Sequence, residues 1–171
     1  KCFNLQEIVF SNNLEQIEHF YLENETKIVF RNHEYYVYEN NCIIDKRTNT
    51  LVCGSTNAVI PEYIEILGEY CFYKHELSSI ILPEGLRIID KYEFSECLFE
   101  TIEFPNSLNR IEEGAFFHCP NLIYITIPEN IVFVGNSAFD VPHYLTVIFD
   151  GFNGELGLNS FYTNSVYSTI A

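Results

Sequence analysis

Residues 105–127 read PNSLNRIEEGAFFHCPNLIYITI and are followed by Pro128. Prolines that follow an apolar residue occur at positions 61, 83, 105 and 128, at spacings of 22, 22 and 23 residues. If each proline is position 0 of a unit, positions 3 and 6 are always aliphatic. Position 11 is always phenylalanine, at Phe72, Phe94, Phe116 and Phe139. Such a regular pattern indicates an internal repeat of 22–23 residues.

Each unit ends with two apolar residues separated by one other side chain. The pairs are Ile80/Leu82, Ile102/Phe104, Ile125/Ile127 and Val147/Phe149. This alternation is typical of a strand with one buried face, and stacked units can share a core that a single unit cannot form. The pattern predicts a right-handed leucine-rich-repeat solenoid, mainly β, with short parallel strands near residues 79–82, 101–104, 124–127 and 146–149. We expect one strand per repeat, with turns or single helical turns between strands.

The repeat pattern continues towards both ends of the chain. Asp150 stands at position 0 of a further unit, whose Leu156 and Phe161 fall at positions 6 and 11, and residues 2–5 resemble residues 119–122. We therefore expect a single leucine-rich-repeat domain over residues 1–171. It comprises a partial repeat over 1–17, a β-rich insert over 18–56 and about five repeats over 57–171. A start within a unit and without Met suggests a fragment or domain of a longer protein.

The insert has its own strand pattern. Residues 27–30 and 35–38 predict short strands, and residues 42–53 predict a hairpin whose polar loop is 46–49. This hairpin would lengthen the sheet. Tyrosine is favoured in interface cores because its ring is apolar and its hydroxyl polar. The tyrosines Tyr35, Tyr36 and Tyr38 are therefore a second candidate contact site.

Composition excludes several classes of partner. The chain has 171 residues, 47% of them hydrophobic, which is enough for a substantial core. Nine Lys and Arg against 24 Asp and Glu give a formal net charge of −15. This charge argues against binding to nucleic acid and to anionic lipid. No apolar run approaches the roughly 20 residues of a membrane-spanning helix, so we expect no membrane insertion of this chain.

The unit I-P-x-x-I-x-x-I-G-x-x-A-F-x-x-C-x-x-L-x-x-I-x resembles the BspA-type leucine-rich repeats of bacterial cell-surface proteins, which some parasitic protists also contain. The resemblance covers residues 57–171 well and residues 1–17 in part. Asp90 and Glu112 replace the glycine of the pattern, and Cys71 and Glu93 replace the alanine before phenylalanine. The resemblance implies an extracellular or cell-surface protein without catalytic residues that adheres to host or matrix proteins or to other cells.

The cysteines and acidic residues do not form a recognisable site. Cys42 and Cys53 are predicted to face each other across the hairpin, where a disulfide is geometrically allowed, although we expect free thiols. His75, Cys97 and Cys119 share position 14 and lie in a line, unlike the tetrahedral ligands of zinc. The glutamates of position 1 form a similar column without the converging oxygens that calcium requires. We expect no metal, no cofactor and no catalytic site.

No sequence motif of a hydrolase or protease nucleophile occurs. The repeat favours a binding module that presents a concave β-face to a protein partner. The alternative is a structural spacer that projects other domains from the cell surface. The residues that alternate with the buried ones face outwards, and those of the candidate partner-binding row are Val59, Ile81, Glu103, Thr126 and Ile148, with Tyr124 beside them. Exposed Val, Ile and Tyr on one face suggest a contact patch, although strand preference alone also favours such residues.

Overall fold

The computed structural model describes residues 6–18, residue 22, residues 26–162 and, for the backbone only, residues 166–170. These residues form a mainly β solenoid of about seven turns. The described part contains no helix, so none that could cross a membrane. In the described residues the strands are connected by turns, and the single helical turns that were the other expectation do not form.

The fourteen strands are short. In chain order they are β1 (Glu7–Phe10), β2 (Lys27–Phe30), β3 (Tyr36–Glu39), β4 (Cys42–Asp45), β5 (Thr50–Gly54), β6 (Ile66–Leu67), β7 (Ile88–Ile89), β8 (Thr101–Ile102), β9 (Arg110–Ile111), β10 (Tyr124–Pro128), β11 (Phe133–Val134), β12 (Leu145–Asp150), β13 (Glu155–Leu156) and β14 (Val166–Ile170).

The predicted parallel strands form a front sheet with the strand order β14-β12-β10-β8. In it, Ile125 pairs with Ile102 on one side and with Val147 on the other. These three side chains are buried because alternate residues of each strand point into the core. The expectation of parallel strands near 101–104, 124–127 and 146–149 is confirmed, although β8 contains only two residues.

The strand expected near residues 79–82 does not form. A strand requires a neighbour that supplies hydrogen bonds, and residues 57–60 on one side are engaged elsewhere. The Val59 amide donates to the Asn40 carbonyl at 3.0 Å. The Asn41 side-chain amide donates to the Asn57 carbonyl at 3.1 Å. Within the described residues the front sheet begins at β8, and residues 79–82 belong to no strand.

A second sheet was not anticipated, because only one strand per repeat was expected. It has eight strands in the order β13-β11-β9-β7-β6-β5-β4-β3. Its five shortest strands end at position 6 of successive units, and we call these five strands the back sheet. Position 6 is buried at Leu67, Ile89, Ile111 and Val134. The amide of the position after the strand donates to the previous unit, as from Asp90 to the Leu67 carbonyl at 2.9 Å.

The phenylalanines of position 11 form a continuous stack between the two sheets. Ring centroids lie 5.7 Å apart for Phe72 and Phe94, 5.3 Å for Phe94 and Phe116, and 5.0 Å for Phe116 and Phe139. Phe161 extends the stack at 5.3 Å. The predicted interior column of aromatic rings is confirmed, and the four rings of the complete units are fully buried.

The turn before each phenylalanine contains a residue with positive φ. It is always position 9, at Tyr70, Tyr92, Gly114, Ser137 and Asn159, with φ between 50° and 63°. Only one of the five is glycine. An alanine Cβ at Gly114 would lie 2.4 Å from the Tyr92 ring, so this glycine is also required for space. The Tyr92 ring in turn stacks on Tyr70 with centroids 5.2 Å apart.

The insert forms an antiparallel meander of β3, β4 and β5 that continues the eight-stranded sheet. Asn40 and Asn41 both have positive φ and form the two-residue turn between β3 and β4. The strands predicted at 27–30 and 35–38 appear as β2 and β3. β2 pairs in parallel with β1, so this part of the insert itself resembles a repeat.

The expected pairing of Cys42 with Cys53 is wrong because of a β-bulge. Asp45 pairs with Thr50 as predicted, but the register shifts beyond Ile44, so that Cys53 pairs with Ile43 and Cys42 with Gly54. The extra residue turns Cys53 to the other face of the sheet. Cys42 lies in the main core with the phenylalanine stack, whereas Cys53 lies in a second core. Neither cysteine forms a disulfide, and both are buried.

The second core lies on the other side of the meander and is formed with β1 and β2. Leu22, Ile28, Tyr36, Ile43 and Cys53 are its buried members. Arg47 connects the residues before β2 to the meander: its guanidinium pairs with Asp45 and donates to the Glu15 carbonyl at 3.3 Å. Cys2 and the segment 2–5, which resemble the repeat, lie outside the described residues.

Candidate interaction face

The front sheet positions one row of candidate residues by strict strand pairing. Tyr124 pairs with Thr101 of β8 and with Thr146 of β12. All three side chains are exposed, while the residues next to them along each strand are buried. The Tyr124 hydroxyl lies 3.2 Å from the Thr126 hydroxyl, which ties the ring to its own strand. A row of outward side chains therefore crosses three repeats.

The adjacent row carries the most exposed apolar side chain of the chain's described part. Ile81 is 87% exposed and Val59, at the same repeat position, is 66% exposed. Glu103 is also exposed, whereas Thr126 and Ile148, which pair with each other, are half-buried. We call the five equivalent segments 57–62, 79–84, 101–106, 124–129 and 146–151, with their outward side chains, the front face.

Sequence reasoning missed three exposed apolar residues near this face: Tyr63, Ile123 and Tyr144. The hydroxyl of Tyr63 donates to the Glu39 carboxylate. Ile123 immediately precedes β10, and Tyr144 immediately precedes β12. The sequence signal for each of these three residues was an apolar side chain at a position that is not regularly apolar in the repeat. Ile123 and Tyr144 extend the apolar character of the front face towards the start of its strands, and Tyr63 directly follows the segment 57–62.

The tyrosines of the insert do not form one exposed cluster. Tyr36 is only 3% exposed, and its hydroxyl accepts hydrogen bonds from the Ile17 amide and Arg47. Tyr35 is half-buried under the Arg47 guanidinium, 4.3 Å from the ring centroid. The half-buried Tyr38 donates its hydroxyl hydrogen to Asn41 Oδ1 at 3.2 Å. Tyr36 is a core residue, and we do not include it in the surface that we propose.

Comparisons with known proteins agree with this architecture. Residues 44–167 match the family described as "BspA type Leucine rich repeat region (6 copies)". The chain belongs to the BspA-type leucine-rich-repeat family. Among solved structures it is similar to the pneumococcal vaccine antigen PcpA, with 22% identity and a TM-score of 0.66 over 82% of this chain. The chain spans 39% of that protein's length. No curated protein sequence matches it.

The column at position 14 of these BspA-type repeats is part of the core. His75, Cys97 and Cys119 are buried, and the described residues contain no group of three or more His, Cys, Asp or Glu placed to hold a metal ion. The Cys97 thiol donates to the Phe72 carbonyl at 3.2 Å, and the Cys119 thiol to the Phe94 carbonyl at 3.1 Å. The column therefore links each turn to the turn before it.

Burial makes the described thiols of the BspA-type chain poor nucleophiles. It raises the pKa of Cys42 and of Cys119 to about 12, and it raises the pKa of Cys71 as well. Burial also lowers the pKa of His75 to about 4, so this imidazole is neutral at physiological pH. A reactive cysteine needs an accessible thiolate, so none of these side chains is suited to nucleophilic chemistry.

We expect at most one thiol per native chain to react with a thiol reagent at pH 8. The five described cysteines are buried and form no disulfide, and the sequence contains six. All six should react after denaturation without a reductant, measured as released chromophore per chain. A denatured count of four would show that two cysteines are bridged. Rapid reaction of several thiols in the native protein would contradict their burial.

Glu93 is an acidic residue where the BspA-type pattern has alanine. Its side chain is 0% exposed, and Oε2 accepts a hydrogen bond from the Cys71 amide at 2.9 Å. Oε1 has no hydrogen-bond partner among the described residues. Burial raises the pKa of this carboxyl well above its usual value, and the charge of Asp90 raises it further. Glu93 is therefore protonated in the folded protein over a pH range in which exposed glutamates are ionised.

Proposed function

We propose that the chain is a non-enzymatic module of an extracellular or cell-surface protein and that it binds a protein partner through the front face. The observation that carries the proposal is the exposure of Ile81 and Val59, which share one repeat position, together with that of Tyr124. A buried aliphatic side chain contributes roughly 1.5–3 kcal/mol relative to an exposed one. Covering these side chains is therefore a source of binding free energy that folding of this chain does not use.

The location and the biological role rest on family membership. A leucine-rich-repeat solenoid is typically a non-enzymatic scaffold, and the BspA-type family and the likeness to a pneumococcal vaccine antigen support a surface location. Adhesion to a host or matrix protein is the role that we propose. The formal charge of −15 disfavours nucleic acid and anionic lipid as partners. No cofactor is required for such a role.

The test is a triple variant that makes the front face polar: Ile81→Ser, Tyr124→Ser and Ile148→Thr. We expect it to abolish binding to any purified matrix or cell-surface protein that the wild type binds in a surface plasmon resonance panel. The melting temperature should be nearly unchanged, because these side chains do not belong to either core. A matched control variant, Val132→Thr with Leu158→Ser, removes exposed apolar residues outside the front face and should bind normally.

The outcomes separate the proposal from the alternatives. Equal binding by the triple variant and the wild type would place the contact elsewhere, with Tyr35 and Tyr38 the next candidates. If the wild type binds no protein of the panel, the interaction proposal fails in favour of the spacer role.

A further inference from the structure

We infer that the partner of the front face is a basic protein segment, with lysine or arginine side chains surrounding an apolar or aromatic centre. This inference rests on the proposed function and specifies the chemistry of the partner. It comes from the distribution of charge around the solenoid. Charged side chains, like exposed apolar side chains, are unevenly distributed over its surface.

The front face contains acidic residues and no cation. Its five segments contain no lysine and no arginine. They contain five exposed acidic residues: Glu62, Glu84, Glu103, Glu129 and Asp150. None of the five forms an ion pair with another residue that the structure describes. Each charge is therefore available to a partner.

The cations of the repeats lie elsewhere. Residues 57–162 contain four, Lys74, Arg87, Lys91 and Arg110, and all are outside the front segments. Lys74 pairs with Glu96 at 3.2 Å, Arg87 with Glu65 at 3.6 Å and Arg110 with Glu112 at 2.8 Å. Acidic residues in or near the turns and the back sheet are thus partly neutralised, whereas those of the front face are not.

The exposed apolar residues and the acidic residues occur in the same front segments. Val59 and Ile81 are three residues before Glu62 and Glu84 in their segments, and Glu103 shares their row. Interfaces commonly combine an apolar centre with a polar, solvent-accessible rim. Electrostatic complementarity across the rim directs partner choice and speeds association. A partner with acidic or phosphate groups would be repelled, so the surface fits a cationic rim around an apolar centre.

The experiment uses two synthetic peptides as probes. In one, lysine alternates with isoleucine or tyrosine; in the other, glutamate replaces every lysine. We expect the whole chain to bind the lysine peptide by fluorescence anisotropy and not the glutamate peptide. The affinity should fall steadily as salt is raised, because the Debye length shortens to about 8 Å at physiological ionic strength.

Two variants of equal net charge show whether the front face is responsible. Glu84→Gln, Glu103→Gln and Glu129→Gln together should weaken binding of the lysine peptide by about tenfold, or ~1.4 kcal/mol. Glu69→Gln, Glu76→Gln and Glu155→Gln remove three exposed charges outside the front segments and should change it little. Equal weakening by both variants, or binding of the glutamate peptide, would overturn the inference.

Failure of this inference differs from failure of the proposed function. If the polar triple variant loses a protein partner whose binding is independent of salt and of the glutamine variants, the front face is the binding site and the basic partner is wrong. If the polar triple variant binds every partner and both peptides like the wild type, both proposals fail.

Discussion

Replacing Phe94 by alanine is expected to lower the free energy of unfolding by about 3–5 kcal/mol, the usual cost of truncating a buried phenylalanine. Its ring is fully buried and lies between Phe72 and Phe116 in the stack, with Phe99 edge-on at 5.4 Å. Alanine would leave a cavity in the middle of the stack and remove contacts with three rings. The midpoint of urea denaturation measures the effect.

Phe161→Ala is the matched control, because it removes the same side chain from the end of the same stack. Phe161 is half-buried and, within the stack, has a ring partner only in Phe139. We expect a clearly smaller loss for Phe161→Ala than for Phe94→Ala. Equal losses of unfolding free energy for the two variants would show that burial of a ring in the stack does not determine its contribution to stability.

The stability of the Glu93→Gln variant relative to the wild type is expected to increase as the pH rises. The folded state holds the Glu93 proton more tightly than the unfolded state, because burial raises the pKa of this carboxyl. Above the usual glutamate pKa near 4.5, the unfolded state releases the proton first, and wild-type stability decreases with pH. The decrease reaches up to about 1.4 kcal/mol per pH unit until the folded state also ionises.

The difference in unfolding free energy between Glu93→Gln and wild type isolates this effect. It should be small near pH 4 and increase towards pH 8 in urea titrations. His75 has the opposite effect below pH 6.5, since burial lowers its pKa to about 4, but it is present in both proteins and cancels. Glu84→Gln, at an exposed glutamate, is the control and should give a difference that is nearly independent of pH. A constant difference for Glu93→Gln would contradict a protonated buried carboxyl.

The sequence predicted those parts of the fold that recur at fixed repeat positions. The phenylalanine stack and the alternation of buried Ile125 with exposed Tyr124 follow from periodicity, because every unit must present the same groups to its neighbours. Tyr124, which was predicted to face outwards, pairs with the exposed residues Thr101 and Thr146 of the neighbouring strands. The candidate front-face residues could therefore be named before their exposure was known.

The back sheet could not be predicted from the same pattern. Its repeat strands have two residues each, too few for an alternation of period two to be recognised. The left-handed residue at position 9 is glycine only at Gly114, whereas Tyr70 and Tyr92 adopt the same φ. Non-glycine residues at positive φ cost about 1–2 kcal/mol each, so local preference argued against this turn. Hydrogen bonds between successive turns, such as Tyr70 to Lys91 at 3.1 Å, hold it in place.

The wrong prediction for the pairing of Cys42 with Cys53 has a single local cause. One additional residue in β5 reverses which side chains face each core from Cys53 onwards. A bulge of this kind leaves no mark in the alternation of apolar residues when both faces of the sheet are buried. Ile43 and Ile44 illustrate this, because they are adjacent, both fully buried, and belong to different cores.

The two-sided burial of β4 also bears on cooperativity. Every residue of this strand is buried, with the phenylalanine stack on one side and the second core on the other. If β1 and β2 separated from the meander, Ile43 and Cys53 would become exposed to water while the rest of the sheet was still folded. Local opening of the N-terminal part would therefore weaken the strand on which the first repeats assemble. We expect the two cores to melt in one transition, as a single folding unit.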